Sequence, residues 1–554
     1  MRTFRPLAVP VALGLAACAL AGTTATAHAA TAAPVSGNVY TLANAASSDE
    51  LMDVQFGSTA PGAPVIQYHS NNGANQEWLL TRTSSGAYTI RSAKSGLCLN
   101  SAPNPQTSAQ LVQNPCNGTA DQQWNIQPVN DGSGTYTLAN VATGLLADDT
   151  RSSTADANPI IQWPSNGGSA NQRWRLTQLT RVGTYAAGLM YGGPSFTNQS
   201  IRMVAHTTVA GSMLSIRLSN LYGTGPLTFD AVDIAQQSGT PGTAVAGTHH
   251  TATFNGSTSV TIPAGKDFSS DPIPMVVAAD ADQLVSVHLP GTPTGTTWHS
   301  EAAQTTWVST AGNHVTDDGT GNYPNQRGSW YFLEGLDVTS RTAAGTLVCV
   351  GDSITDGAHS TWNANHRWPD YLARRMNSAP SGPALGVVEA GIGSNRVLTA
   401  VGGTNPSLVS RFDHDVLGQP NVKDVILLEG INDIGGNTGS NGSTPLTAAD
   451  LEDGMLKVID KANAAGVKIF GGTILPYNGA GYYTPYGEQV RKAVNEWIRT
   501  GGAFDGVIDF DKATQDPGNS QALKPAYDSG DHLHPNDAGY QAMANAVDLA
   551  LLAP

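Results

Sequence analysis

A multidomain, strand-rich chain is predicted: a threefold repeat closed on a common core, then an antiparallel β-sandwich, then an α/β three-layer unit built on a parallel sheet. Three observations predict it. A Gln-x-Trp tripeptide recurs three times in the first third, short alternating apolar runs fill the middle, and strand-length runs alternate with helix-period segments from Thr346 onward. A length of 554 residues exceeds one domain, and 13% charged residues with 61 Gly and 32 Pro describe a turn-rich chain rather than a helical one. The composition is too apolar and too varied for disorder. A formal charge of −15 argues against nucleic acid as a partner.

Residues 1–29 read as a secretory signal peptide. Arg2 and Arg5 precede an apolar stretch from Pro6 to Ala21, and small residues run on to a cleavage site at Ala27-His28-Ala29. The apolar run is short and broken by Pro10, which argues against a membrane span. Leu15-Ala16-Ala17-Cys18 resembles a lipoprotein signal, a weaker second reading in which Cys18 carries the anchor. The expected location is extracellular. There Cys98 and Cys116, close in sequence, are expected to oxidise to a disulfide, leaving Cys349 as a buried, inert thiol.

The tripeptides are Gln76-Glu77-Trp78, Gln122-Gln123-Trp124 and Gln172-Arg173-Trp174, with tryptophan spacings of 46 and 50. One such unit cannot bury its apolar face alone, so three are expected to close on a core that takes a tryptophan from each. This pattern resembles the ricin-type β-trefoil lectins, which serve as carbohydrate-binding modules; the module is placed at residues 35–180. The resemblance implies a sugar site in each repeat: an Asp that accepts from hydroxyls, an aromatic ring under the pyranose, and a polar residue beside Gln-x-Trp. The first repeat matches with Asp53, Tyr68 and Asn75, and the third with Asp148, Trp163 and Asn171. The second departs, with Asn100 for the Asp and Asn114 where the ring belongs, so that site is expected to be lost or weak. Cys98 and Cys116 both fall in this lobe.

Residues 181–342 alternate apolar and polar positions, as in Leu214–Leu218 and Leu284–Leu289, with Gly, Pro, Asn and Asp between runs. That suits an antiparallel sandwich packed on its neighbours. No chemistry is legible there. His206, His249, His250, His288 and His299 lack metal-ligand spacing and read as surface or pocket-rim residues. Trp298 and Trp307 read as core rather than groove.

The α/β unit is placed at residues 343–554. Strands are expected at Leu347–Val350, Gly386–Glu389, Val425–Leu428, Val467–Gly471 and Val507–Phe510. Between them lies a helix over 447–464, opened by a Thr447/Asp450 capping pattern with Leu451, Met455, Ile459 and Ala462 inward. Another starts at Thr484-Pro485, with Val490, Val494, Trp497 and Ile498 inward. Strand–helix alternation implies a parallel sheet covered on both faces, and ligands of such sheets bind at the carboxyl ends of strands. Gly351-Asp352-Ser353 follows the first strand, Gly391–Asn395 the second and Gly430-Ile431-Asn432-Asp433 the third, so all three are expected at one edge.

A serine hydroxyl needs a base to attack an ester. His534 is the natural base for Ser353, and Asp531, three residues earlier, is placed to hold its other nitrogen. The oxyanion of the intermediate needs preorganised donors: the Ser353 N–H, an N–H from the 391–395 loop and the Asn432 amide. The Gly-x-Ser-x-Gly elbow of α/β-hydrolases is broken by Thr355. Asp531, His532 and His534 lack a partner cluster, so no metal and no cofactor is expected.

These blocks, with Asp531-His532-Leu533-His534-Pro535, resemble the SGNH or GDSL-type hydrolases over about residues 345–552. The resemblance implies a flavodoxin-like fold, with Ser353 as nucleophile, Asn432 as oxyanion donor, His534 as base and Asp531 as its orienter. The second block departs from the family pattern. Gly391-Ile392-Gly393-Ser394-Asn395 carries a serine where the donating glycine is expected, leaving the donor open between Gly393 and Ser394. Asp352, Asp356 and Asp433 read as loop organisers, Arg396 as a brace, and His366-Arg367-Trp368 as the start of a core helix. The layout is similar to xylan-associated acylhydrolases. It implies a secreted serine esterase that removes acetyl or aromatic-acyl groups from a polysaccharide, xylan or another hemicellulose, with the trefoil holding the polymer. The alternatives are a lipase, arylesterase or thioesterase of the same fold, and a lectin with an inactive hydrolase domain.

Overall fold

The computed structural model describes residues 32–47, 49–102, 106–379, 382–436 and 444–552; the expected signal at 1–29 and Cys18 lie outside them. Twelve short strands between Asn38 and Gln178 form one antiparallel system, closed where Tyr40–Asn44 pairs with Trp174–Gln178. The motif explains the closure. Trp78, Trp124 and Trp174 are fully buried, and their indoles donate to Met52 O, Leu99 O and Ala147 O at 3.0, 3.1 and 3.1 Å. Each glutamine clamps the loop before it: Oε1 accepts from the backbone N–H of Asn71, Asn117 or Asn166, while Nε2 donates to His69 O, Pro115 O or Pro164 O. Cutting one of these tryptophans to alanine is expected to cost about 3–5 kcal/mol. Cys98 and Cys116 are disulfide-bonded, and Cys349 is a buried free thiol.

Strand Thr180–Ala186 starts two residues after the last trefoil strand, so no free linker separates the two parts. The middle region has a four-stranded and a six-stranded antiparallel sheet. Val182, Ile216 and Leu336 from one meet Ile201, Val232 and Val287 from the other in a single apolar core. Trp307 is buried in a satellite cluster, and Trp298 is half-buried and stacked on Tyr331. Two histidines are not at the surface as expected: His288 is buried and His299 fully so. The sandwich also docks on both neighbours. Ser212 Oγ donates to Glu77 in the trefoil, and Thr208 Oγ1 donates to Val387 O and accepts from Val387 N in the next unit, at 2.7 and 3.1 Å.

The last third carries five parallel strands: Gly345–Gly351, Leu385–Gly391, Val422–Leu428, Lys468–Gly472 and Gly506–Ile508. The second strand lies at one edge, followed by the first, third, fourth and fifth, a doubly wound order. The helix Ala448–Ala464 has both arms of the Thr447/Asp450 capping box and buries Leu451, Met455, Ile459 and Ala462. The helix Pro485–Thr500 is capped by Thr484 and buries Val490, Val494 and Ile498, with Trp497 partly buried against Phe504. Among the described residues, no helix is long and apolar enough to cross a membrane.

Candidate active site

Ser353 is the first residue of a short helical turn that begins where the strand Gly345–Gly351 ends. Asp352 caps that turn by accepting from Ile354 N at 2.9 Å, and burial pushes its carboxyl up to about 7. This leaves Ser353 Oγ at the sheet edge, 2.8 Å from His534 Nε2. His534 Nδ1 is 2.6 Å from Asp531 Oδ2. The three-residue spacing works because the second oxygen of Asp531 closes its own turn, accepting from Leu533 N and His534 N, both at 2.9 Å. Burial works against the Asp531 charge, but the His534 ring and these N–H groups hold its carboxyl well below the usual range. His532 takes no part: it has φ +63° and pairs with Asp528 at 2.6 Å.

The 391–395 loop is held from three sides. Asp433 accepts from Val397 N and Leu398 N at 2.8 and 3.2 Å; burial lifts it to about 6. Asn432 donates one amide hydrogen to Asn395 O at 3.0 Å, and its oxygen faces Tyr482 OH at 3.4 Å. Among the described residues its second amide hydrogen has no acceptor. Gly393 N donates to Asp356 Oδ2 at 3.1 Å, so that N–H is spent. Ser394 N has no partner among the described residues, and Ser394 adopts φ +62°, the left-handed region where a side chain costs about 1–2 kcal/mol. Arg411, which no sequence motif marks, is buried and donates to Ala390 O and Gly351 O at 2.6 and 2.9 Å, joining the two strand ends.

These groups surround an open cleft of about 350 Å³ whose walls are mostly polar. The wall also includes residues that no sequence motif marks, His359 and Glu301 among them. His359 stacks on His534 at 5.2 Å and sets Nε2 3.4 Å from Asp531 Oδ2. Glu301 comes from the sandwich. His359, Asp531 and His534 also gather ligand atoms within 4.8 Å of one another, but His534 and Asp531 are already bonded to each other. Asp267, Glu334 and His414 form a second such group, where Arg217 already pairs with Glu334 at 2.6 Å.

In the trefoil, Asp53 and Asn75 meet at 2.8 Å beside Tyr68 in a cleft of about 300 Å³, and burial raises Asp53 to about 6. In the third repeat Asp148 accepts from Asn171 and Gln172 at 2.9 and 2.8 Å, and Trp163 is 39% exposed, free to stack. The second repeat inverts the pair: Asn100 donates to Asp121 at 3.0 Å, so the link survives with its acid on the other side and no ring opposite.

Residues 349–542 match the GDSL-like lipase/acylhydrolase family, and residues 28–113, 74–163 and 120–186 match the ricin-type β-trefoil lectin domain-like family. The chain therefore joins a GDSL-type acylhydrolase domain, a carboxylic-ester hydrolase, to a ricin-type carbohydrate-binding module. Among solved structures, the designed threefold protein ThreeFoil is 34% identical over 26% of this chain and 99% of its own, with a TM-score of 0.24. The Rhizoctonia solani agglutinin is 27% identical over 26% and 99%, with a TM-score of 0.24. A putative lipolytic G-D-S-L protein from Desulfitobacterium hafniense is 23% identical over 37% and 99%, with a TM-score of 0.28. No curated protein matches the chain.

Proposed function

We propose that the protein is a secreted serine esterase that removes small acyl groups from a hydroxyl-rich polysaccharide, held near its substrate by the trefoil. The observation that carries the reading is the line Asp531–His534–Ser353, at 2.6 and 2.8 Å, opening on a polar cleft. Ser353 Oγ attacks the ester carbonyl while His534 Nε2 takes its proton, and Asp531 steadies the imidazolium. The oxyanion is met by the N–H groups of Ser353 and Ser394 and by Asn432 Nδ2. His534 then protonates the leaving sugar hydroxyl, and water clears the acyl-serine by the same route. A lipase reading fits the cleft less well, because among the described residues Ala358 and Leu533 are its only aliphatic wall residues. Asp53 with Tyr68 and Asn75, and Asp148 with Trp163 and Asn171, are the proposed sugar sites.

Export through residues 1–29 is part of the proposal, and the disulfide fits an oxidising compartment. The test is acid released from acetylated xylan by the full protein and by Ser353→Ala. The wild type is expected to release acetate, and the variant to lose on the order of 10⁴-fold or more. Equal release by both would end the catalytic assignment. Unhindered hydrolysis of simple esters with no release from any acylated polysaccharide would end the substrate assignment alone.

A further inference from the structure

The sandwich, which offers no legible chemistry in sequence, reaches the catalytic cleft through one short stretch. It begins at the end of strand Thr297–His299. His299 is fully buried, with Nδ1 2.7 Å from Gly188 O and Nε2 3.0 Å from Asp356 Oδ1. The same Nε2 lies 3.1 Å from Glu301 O, so the backbone of Glu301 is fixed by a ring locked into the catalytic loop. Beyond it the Glu301 side chain is exposed and stands in the wall of the cleft with Ser353, Ser394 and Asn432. A methyl group added at Gly393 would lie 3.7 Å from its Cδ and Oε2, so the carboxylate is beside the oxyanion loop. Among the described residues, no hydrogen bond or ion pair engages that carboxylate.

A carboxylate on a fixed backbone, unpaired and facing a cleft, is an acceptor with nothing to accept. It offers about four lone-pair sites and no donor. It repels an anionic substrate and gains nothing from an alkyl chain. Neighbouring sugar hydroxyls, which are donors in pairs, match it. We infer that Glu301 forms a sugar subsite within the catalytic cleft, accepting from free hydroxyls beside the scissile ester. The inference rests on the polysaccharide reading and names how the cleft would recognise the sugar.

The probes are methyl 2-O-acetyl-β-xylopyranoside, its 3,4-di-O-methyl derivative and p-nitrophenyl acetate. They are assayed with the full-length wild type, Glu301→Ala and the near-isosteric Glu301→Gln, with thermal melts to confirm that the variants fold. A hydrogen bond to a charged acceptor sets the scale, so Glu301→Ala is expected to lower kcat/KM for the free-hydroxyl xyloside, relative to p-nitrophenyl acetate, by about ten-fold or more, mainly through KM. Glu301→Gln, which keeps a carbonyl acceptor, is expected to fall between. The selective loss should vanish with the di-O-methyl xyloside. Equal losses on all three esters, or none, would overturn the subsite and leave the polysaccharide reading standing. A wild type that cleaves p-nitrophenyl acetate but neither xyloside nor acetylated xylan would overturn both.

Discussion

Replacing His299 by glutamine tests whether the junction under the active site depends on a buried charge. Both ring nitrogens of His299 face acceptors: Gly188 O on one side, Asp356 and Glu301 O on the other. Acceptors on both sides of the ring call for two N–H donors, and hence for the imidazolium. Burial opposes that charge, yet Asp356, followed by Glu389, outweighs it and raises the pKa from 6.5 to about 9. The other charge packed there, Arg367, donates to Asp356 O at 2.8 Å and lies close to Asp370. A folded pKa above the unfolded one stabilises fully below the unfolded value, and the benefit disappears as pH climbs through the folded value. The gap from 6.5 to about 9 amounts to roughly 3 kcal/mol. Glutamine keeps a donor but no charge. At about pH 6 it is expected to lower the melting temperature of the transition that includes the α/β unit by roughly 5–10 °C. By about pH 10 the two proteins should melt within a degree or two of each other. Melts followed by circular dichroism across that range decide the matter. A difference that stays constant with pH would refute the charged histidine and leave only lost packing.

Three further outcomes are expected. Asn432→Ala should lower kcat on a chromogenic acetate by about 10²–10³-fold, read by steady-state kinetics, since it removes one oxyanion donor. Ser394→Gly should raise stability by up to about 1 kcal/mol in thermal or urea unfolding, because relief of the left-handed strain at φ +62° exceeds the added chain entropy. Replacing Cys98 and Cys116 together by serine should cost about 3 kcal/mol, for a separation of 18 residues, in the trefoil's own melting transition, while chromogenic ester hydrolysis is retained.

The parts of the site that were legible are those whose chemistry is local in sequence. Asp531 and His534 sit in one self-closing turn, and Ser353 follows its strand directly, so tripeptides and strand order carried them. The Gln-x-Trp repeats were legible because each glutamine clamps a loop only a few residues away. The oxyanion loop was half legible. Its position follows from the strand end, but which of the Gly393 and Ser394 N–H groups is left without a partner depends on Asp356, 37 residues earlier. The pair Asn100/Asp121 is not legible because its acid stands on the opposite side from the acid of the other two repeats. His359 and Arg411 carry no spacing signal; one is brought to Asp531 and the other to two strand ends by tertiary folding alone. His299 was misplaced for the same reason, since its partner Asp356 lies 57 residues away in the neighbouring unit.

Contacts of this last kind bear on what the sandwich is for. A spacer would meet its neighbours through solvated polar surfaces, and either side would tolerate separation. Here Thr208 satisfies both backbone groups of Val387 on the edge strand of the parallel sheet, Thr346 Oγ1 accepts from Gly183 N at 2.9 Å, and Arg217 of the sandwich reaches Gln419 at 2.5 Å. An uncovered edge strand invites mispairing, and without His299 the buried Asp356 carboxylate loses its ring partner. The α/β unit thus depends on the sandwich for its edge and for the loop that ends at Gly393. Because the same stretch carries Glu301 into the cleft, stability and substrate recognition share one structural cause: the wall of the active site is a strand end of the sandwich, held there by the buried contact of His299 with Asp356.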